Sequence, residues 1–414
     1  MIYMLILAII VIGIYAIISY KQKAVVNGLT IIAVPLVLFN IIFPFIYEIY
    51  SKSELNYLYI LIYYGVYFTF LSLGYYYFSK KNLFSIEIFK NLEEENIIKI
   101  NKLILISIIL VCLILSFLIP IDYLKNPRLL YEKTRLGFGP IYFGITTLIN
   151  VYFIFSMFYK KKYYYIIFVI VILYFTGSKV RMLLPLELFF MYYFYVKSNN
   201  RMAIKKIVGF GIALIALFIV SYIVTSRYLP DRSINTIMRG LSSYSDYNRN
   251  FLILVQDLTK SKEYFWGQIS FENNLFSLIP RAVFPSKPTI FGSFRISYKF
   301  YEEWTLLYQG APSFGQFGAL FADFGHLSLI IIAIYNFIIG AFLALSEKNF
   351  LKHKNPITFM LFMIFAGITF FDVGMGSIIV LIVNIAMVAC LYYIIKYSGK
   401  YLDKISEFRI KKIK

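Results

Sequence analysis

Long apolar runs, interrupted at intervals by short clusters of lysine, dominate this chain. They lie at about 2–19, 27–47, 56–79, 103–120, 138–159, 163–177, 181–196, 204–226, 326–346, 356–371 and 374–395. A helix crosses a bilayer with roughly 20 mostly apolar residues, and these runs match that length. Barrel strands would instead alternate over roughly ten residues. The pattern predicts an all-α, polytopic integral membrane protein with about eleven spans. The sixth and seventh runs are short, and only Gly177-Ser178-Lys179-Val180 separates them, so they can also form one re-entrant hairpin. The expected organisation is transmembrane helices 1–8 within 1–226, a large loop at 227–312, helices 9–11 within 313–396 and a basic tail at 397–414.

Composition narrows the class. Sixty per cent of the 414 residues are hydrophobic, 15% are charged and the net charge is +20, which excludes an ordinary soluble enzyme and a disordered chain. Every second connection holds a lysine cluster, such as Lys160-Lys161-Lys162, and six such segments carry 24 of the 41 basic residues. Placing them in the cytoplasm puts the N-terminus outside and the C-terminus inside. With no basic residue ahead of the first apolar run, no cleaved signal peptide is expected. Cys112 and Cys390 fall inside spans, so neither a disulfide nor a metal site is expected. No feature points to nucleic acid.

The arginines are distributed differently. Twenty-two of 30 lysines are on the cytoplasmic side, but nine of 11 arginines lie outside: Arg128, Arg135, Arg181, Arg227, Arg232, Arg239, Arg249, Arg281 and Arg295. Topology rules treat the two residue types alike. The planar guanidinium binds phosphate or carboxylate through two parallel bonds, so the split suggests an anionic ligand at the outer face. The blander reading is that long loops cross regardless of charge and some arginines pair with local acids.

The loop at 227–312 holds ten basic and seven acidic residues and both tryptophans. Loops of this length usually carry function. Ser233 to Leu258 has apolar residues at helical spacing (Ile234, Ile237, Met238 and Leu241, then Phe251, Leu252, Leu254 and Val255), with Arg239, Tyr244, Asp246 and Arg249 able to face the other way. This suits a helix lying at the outer interface. Trp266 and Trp304 read as members of an aromatic belt rather than as sugar platforms.

No phosphate-binding loop, HExxH, CxxC pair, GxSxG or soluble nucleotide-sugar motif is present. The longest cytoplasmic connection, Lys80 to Lys102, has no glycine turn for a nucleotide. Transfer chemistry is therefore expected outside, on substrates delivered by lipid. Asp323 and His326, three apart, would share a helix face, and a carboxylate beside an imidazole is a reasonable general base. The same spacing suits an ordinary surface pair. Glu272 is another acid of the loop, and Glu187 lies inside the seventh span, where an ionisable group is a functional candidate or a partner of a neighbouring polar side chain.

Three segments carry a resemblance. Ile279-Pro280-Arg281-Ala282-Val283-Phe284-Pro285-Ser286-Lys287-Pro288 is similar to the IPR-x-x-x-P-x-KP signature of oligosaccharide repeat-unit polymerases (the Wzy-type O-antigen and capsule polymerases). Gly318 through Gly325, ending Asp323-Phe324-Gly325, resembles the glycine-rich stretch that follows it. Thr176-Gly177-Ser178-Lys179-Val180-Arg181 is similar to a short turn before a family helix. Arg128 to Gly139 and Arg281 to Gly292 both fit the R-x10-G spacing of some members. Ala319 stands where many relatives have an acid, so any role of that acid is not carried over.

The resemblance implies a GT-C-like, multi-pass protein of the bacterial plasma membrane. It implies that a growing glycan on undecaprenyl pyrophosphate is transferred to a sugar hydroxyl of a lipid-linked repeat unit at the outer face. Arginines would stabilise the departing pyrophosphate without a metal or other cofactor. At matching positions the pyrophosphate ligands would be Arg181, Arg249, Arg281 and Lys287, with Arg128 and Arg135 a second tier; Asp323, His326 or Glu272 would be the base. Partners would be undecaprenyl-pyrophosphate-linked oligosaccharides, the bilayer and, as a further candidate, a chain-length regulator. A glycan ligase of the same superfamily is the nearest alternative. A flippase is a second, though it should bury more charge within its spans than Glu187.

Overall fold

A computed structural model describes residues 2–51, 56–80, 89, 92–118, 139–160, 165–167, 169–170, 179–199, 201–225, 245–279, 284–308, 312–370 and 378–413. The described residues are helices joined by turns, and the protein is all-α. Among the described residues six helical stretches are long and apolar enough to cross a membrane: Ile2–Gln22, Thr30–Ile49, Leu58–Lys80, Glu94–Ile114, Gly318–His353 and Ile378–Tyr397. Gly144–Tyr159 and Pro356–Phe365 are shorter apolar helices. The expected spans at 181–196 and 204–226 are helical, whereas most of 163–177 lies outside the described residues.

The chain divides into two compact units. The first comprises Met1–Leu83, Arg227–Ala344 and Val373–Val380; the second comprises Phe84–Ser226, Leu345–Asp372 and Leu381–Lys414. In chain order the first unit begins with α1 (Ile2–Gln22), α2 (Thr30–Val37), α3 (Phe43–Ser51) and α4 (Leu58–Lys80). The second holds α5 (Glu94–Leu118), α6 (Gly139–Phe155), α7 (Lys179–Tyr192) and α8 (Ile204–Thr225). The chain then returns to the first unit for α9 (Asp246–Ser261), α10 (Gln268–Leu278), α11 (Ser293–Phe300), α12 (Glu302–Tyr308) and α13 (Gly318–Phe324). Last come α14 (Ser328–His353), α15 (Pro356–Phe365) and α16 (Ile378–Ile413). The basic tail continues α16 as helix to Ile413.

A wide π turn, Leu38–Ile42, joins α2 to α3. Its cause is local. The Phe43 N–H bonds the Leu38 carbonyl, five residues back, and Pro44 has no N–H to offer. The Phe39 carbonyl instead takes side-chain donors from α9, the Tyr247 hydroxyl at 3.3 Å and the Asn248 amide at 3.4 Å. Tyr247 also bonds the Asn40 side chain at 3.1 Å. One proline thus helps to dock the N-terminal end of α9.

The rest of α9 is held by burial. Phe251, Leu252, Leu254, Val255 and Leu258 are all buried, each such side chain contributing about 1.5–3 kcal/mol relative to exposure. Phe251 packs edge-on to Tyr63 of α4 at 5.1 Å and to Phe321 of α13 at 5.9 Å. In the described part of that segment the apolar face meets the protein core. Residues 226–244 lie outside the described set. Lower in the same unit α4 and α14 cross with their backbones almost touching. A Cβ on Gly340 would stand 2.0 Å from the Leu71 carbonyl oxygen, and one on Gly74 would stand 2.1 Å from that of Phe337. Small residues permit such crossings between spanning helices.

In the second unit, Glu347 is buried and bonded by the Tyr195 hydroxyl and by Arg201, the latter at 3.0 Å. Arg201 also lies over the Tyr195 ring. This accounts for one of the two arginines on the lysine-rich side: it neutralises a buried acid.

Candidate functional site

The candidate site lies in the first unit, where α9, α10, α11 and α13 meet the start of α4. Two carboxylates build it. Asp323, at the end of α13, is fully buried, and its oxygens accept from the Ile269 and Ser270 backbone N–H groups at 2.9 and 2.8 Å. Those amides open α10, where the first N–H groups of a helix have no partner within it. A carboxylate there also meets the positive end of the helix dipole. The backbone completes the clamp: Phe265 N–H bonds the Ala322 carbonyl, and Trp266 N–H bonds that of Asp323, both at 2.9 Å.

Glu272 repeats the device one helix further on. The Gly292 N–H, at the start of α11, donates to it at 2.7 Å. Arg295 grips it with two bonds of 2.7 and 2.9 Å, and Gln268 adds a second donor side chain at 2.9 Å. Asn273, next door, accepts from the Ser293 N–H at 2.9 Å. Gly292 sits at φ +53°, and a Cβ there would stand 2.1 Å from the Asn273 side-chain oxygen. Only glycine meets both demands. Caps therefore run in relay: α13 holds α10, and α10 holds α11.

Burial pushes the Glu272 carboxyl up, but Arg295, the Gly292 amide and Gln268 outweigh it and hold it below its ordinary value. A depressed carboxyl stabilises the fold above its unfolded value, near 4.3, and that stability is lost as pH falls through the folded value. Melting temperatures of wild type and Glu272→Gln should therefore differ most at neutral pH and converge on acidification. A gap that stays constant with pH would assign the loss to something other than the charge.

The Asp323–His326 pair expected on one helix face does not form. α13 stops at Phe324 because Gly325 turns the chain at φ +54°, and a short 3-10 turn follows. A Cβ on Gly325 would stand 2.6 Å from the Tyr264 ring. Asp323 points inward to α10, while His326 is exposed. The imidazole stacks on Tyr59 with ring centres 5.7 Å apart and meets Phe321 edge-on at 5.6 Å. Among the described residues no hydrogen bond occupies either of its ring nitrogens. Of the three candidate bases, two carboxylates are saturated by donors and the histidine is not.

The candidate cations divide in the same way. Lys287 donates to the Phe276 and Ile279 carbonyls, the latter at 3.1 Å, and lies over the Phe291 ring. It closes the C-terminal end of α10. Arg249 is exposed on α9, with the Tyr47 hydroxyl 3.4 Å from its guanidinium. Among the described residues no carboxylate lies within ion-pair distance of it. Arg181 opens α7 in the second unit, its side chain outside the described set, and Arg128, Arg135 and Arg281 lie outside the described residues altogether. Arg295, read from the sequence only as one of nine outer arginines, is the partner of Glu272. Lys299 pairs with Asp257 at 2.8 Å in an exposed bridge, worth little in stability. The Trp266 ring is exposed and lies edge-on to Tyr264.

Tyr59 and Tyr47 were not marked by the sequence. One residue in five is aromatic, so nothing separates these two tyrosines from those that only pack.

Two comparisons bear on identity. The chain is 25% identical over 352 residues to the O-antigen polymerase of Salmonella typhimurium, covering 84% of this chain and 83% of that protein. The O-antigen polymerase of Salmonella typhi matches to the same extent. This chain is a relative of the O-antigen polymerases. The resemblance drawn from the 279–288 and 318–325 segments is thereby borne out over most of the chain. No protein-family model matches the chain, and no solved structure does.

Proposed function

We propose that this protein polymerises O-antigen-type repeat units at the outer face of the bacterial plasma membrane, with its N-terminus outside and its C-terminus in the cytoplasm. The observation that carries this reading is the similarity to two O-antigen polymerases over 84% of the chain. On this reading the donor is a growing glycan on undecaprenyl pyrophosphate and the acceptor is a single repeat unit on the same lipid. The acceptor hydroxyl oxygen forms a bond to the donor's anomeric carbon. The bond from that carbon to the pyrophosphate oxygen breaks, and undecaprenyl pyrophosphate leaves with the electron pair. The hydroxyl proton passes to His326, whose ring nitrogens hold no hydrogen bond among the described residues.

Arg249 is the best supported ligand of the leaving pyrophosphate, because no carboxylate among the described residues pairs with it. Arg181, Arg281, Arg128 and Arg135 are proposed to act with it, fixed positive charge being most effective where negative charge develops. No metal is assigned a part in the step. Asp323, Glu272 and Lys287 serve by positioning: they hold α10 and α11, and with them the segment that carries Arg281.

Deletion of the gene from its host tests this. Surface glycan of a single repeat unit is the expected outcome. Full-length chains in the deletion would end the polymerase reading, and complete loss of attached glycan would favour the ligase.

A further inference from the structure

The face of α9 that carries Arg249 continues into a cavity of about 410 Å³ between this helix and the start of α4. That volume falls within the roughly 300–1,000 Å³ of small-ligand sites. Leu252 and Val255 line it, and Asn56, Tyr59, Gln256, Thr259 and Lys260 supply the rest of its wall. At 3.6 residues per turn Arg249, Leu252, Gln256 and Lys260 fall on one stripe of the helix. Gln256 is about 10.5 Å along the axis from Arg249.

The polar groups of this wall are uncommitted. Asn56 uses its side-chain oxygen to cap the Leu58 N–H at 3.0 Å, and its NH₂ group makes no hydrogen bond among the described residues. Among the described residues the side chains of Gln256, Thr259 and Lys260 make no hydrogen bond or ion pair. Tyr59 is covered on one face by His326, and its hydroxyl has no partner among the described residues. A ring beside amides, a hydroxyl and an ammonium is poorly suited to an acyl chain, which would leave every polar group unpaired. It offers a pyrophosphate only one cation. It is well suited to a sugar, whose C–H face packs on an aromatic ring while its hydroxyls take the amides.

We propose that this cavity is a carbohydrate subsite that seats one sugar of the acceptor repeat unit, with Tyr59 as its platform and Asn56, Gln256, Thr259 and Lys260 bonding its hydroxyls. The inference rests on the polymerase reading and deepens it. The sugar takes the face of Tyr59 that His326 leaves open, so the ring stands between the two and the attacking hydroxyl is carried by another sugar of the same repeat unit. A pyrophosphate at Arg249 then stands roughly two sugar lengths away along the same helix face.

The probe is the single-repeat oligosaccharide released by mild acid from the lipid of the deletion strain, or, if that strain makes longer chains, the repeat unit cut from them. Its binding to the purified full-length protein in lipid nanodiscs is followed by saturation-transfer NMR, and its use by the KM for acceptor in chain extension. Wild type should bind it saturably. Tyr59→Ala and Gln256→Ala should each weaken binding and raise KM at least tenfold, and Tyr59→Phe should stay within about threefold. Thr259→Trp, which fills the cavity from an exposed helix position, should abolish binding while the melting temperature is kept. Equal binding by wild type, Gln256→Ala and Thr259→Trp, or no binding by wild type, would overturn the subsite. Chain extension with an unchanged KM in these variants would overturn the subsite alone. Saturable binding that the variants lose, without any chain extension by wild type, would sink the polymerase reading and leave the subsite standing.

Discussion

Asp323→Ala is expected to yield a protein that loses the α10–α11 assembly and with it all activity. The carboxylate is fully buried and takes two backbone N–H groups. Each bond to a charged group contributes about 1.5–3 kcal/mol, so removing both costs on the order of 3–6 kcal/mol. The loss travels, because α10 carries Glu272 and Glu272 caps α11 through Gly292. Asp323→Asn should fare little better: its oxygen can keep one bond, but its NH₂ group then faces the other N–H. The measurement is the yield of folded protein and its melting temperature in detergent, set beside chain extension. A well-folded Asp323→Asn with no turnover would contradict this account and restore Asp323 as the base.

His326→Ala should give the converse pattern. The side chain is exposed and its contacts are with the Tyr59 and Phe321 rings, so folded yield should match wild type. Chain extension should fall by about 10²–10⁴-fold, the usual contribution of a positioned general base. His326→Gln should not rescue it, since an amide fills the space and cannot take the proton. Wild-type glycan lengths in either variant would remove His326 from the chemistry and leave it as a packing residue.

These two outcomes show where reading the sequence stopped. The membrane class and most spans were legible because burial in lipid demands long apolar runs, and α1, α4 and α14 appear where the runs lie. The helix at 246–261 was legible from the spacing of Phe251, Leu252, Leu254 and Val255. Its partner was not, since an apolar stripe looks the same whether it meets lipid or Tyr63 and Phe321. The spacing of Asp323 and His326 misled because it presumed a continuous helix, and Gly325 interrupts it. The role of Asp323 could not be read locally, as its partners Ile269 and Ser270 precede it by more than fifty residues. The same holds for Glu272, whose partner Arg295 belongs to a different helix. The motif that resembles the family therefore marks, at Asp323 and Gly325, a structural junction.

The most direct test of the central claim is chain extension by the purified protein alone in lipid nanodiscs, given only its lipid-linked repeat unit. The account predicts a ladder of glycans growing by whole repeat units without any nucleotide sugar, with undecaprenyl pyrophosphate released in step, and loss of the ladder in Arg249→Ala and His326→Ala. Repeat units that remain single in the presence of folded wild-type protein would contradict it.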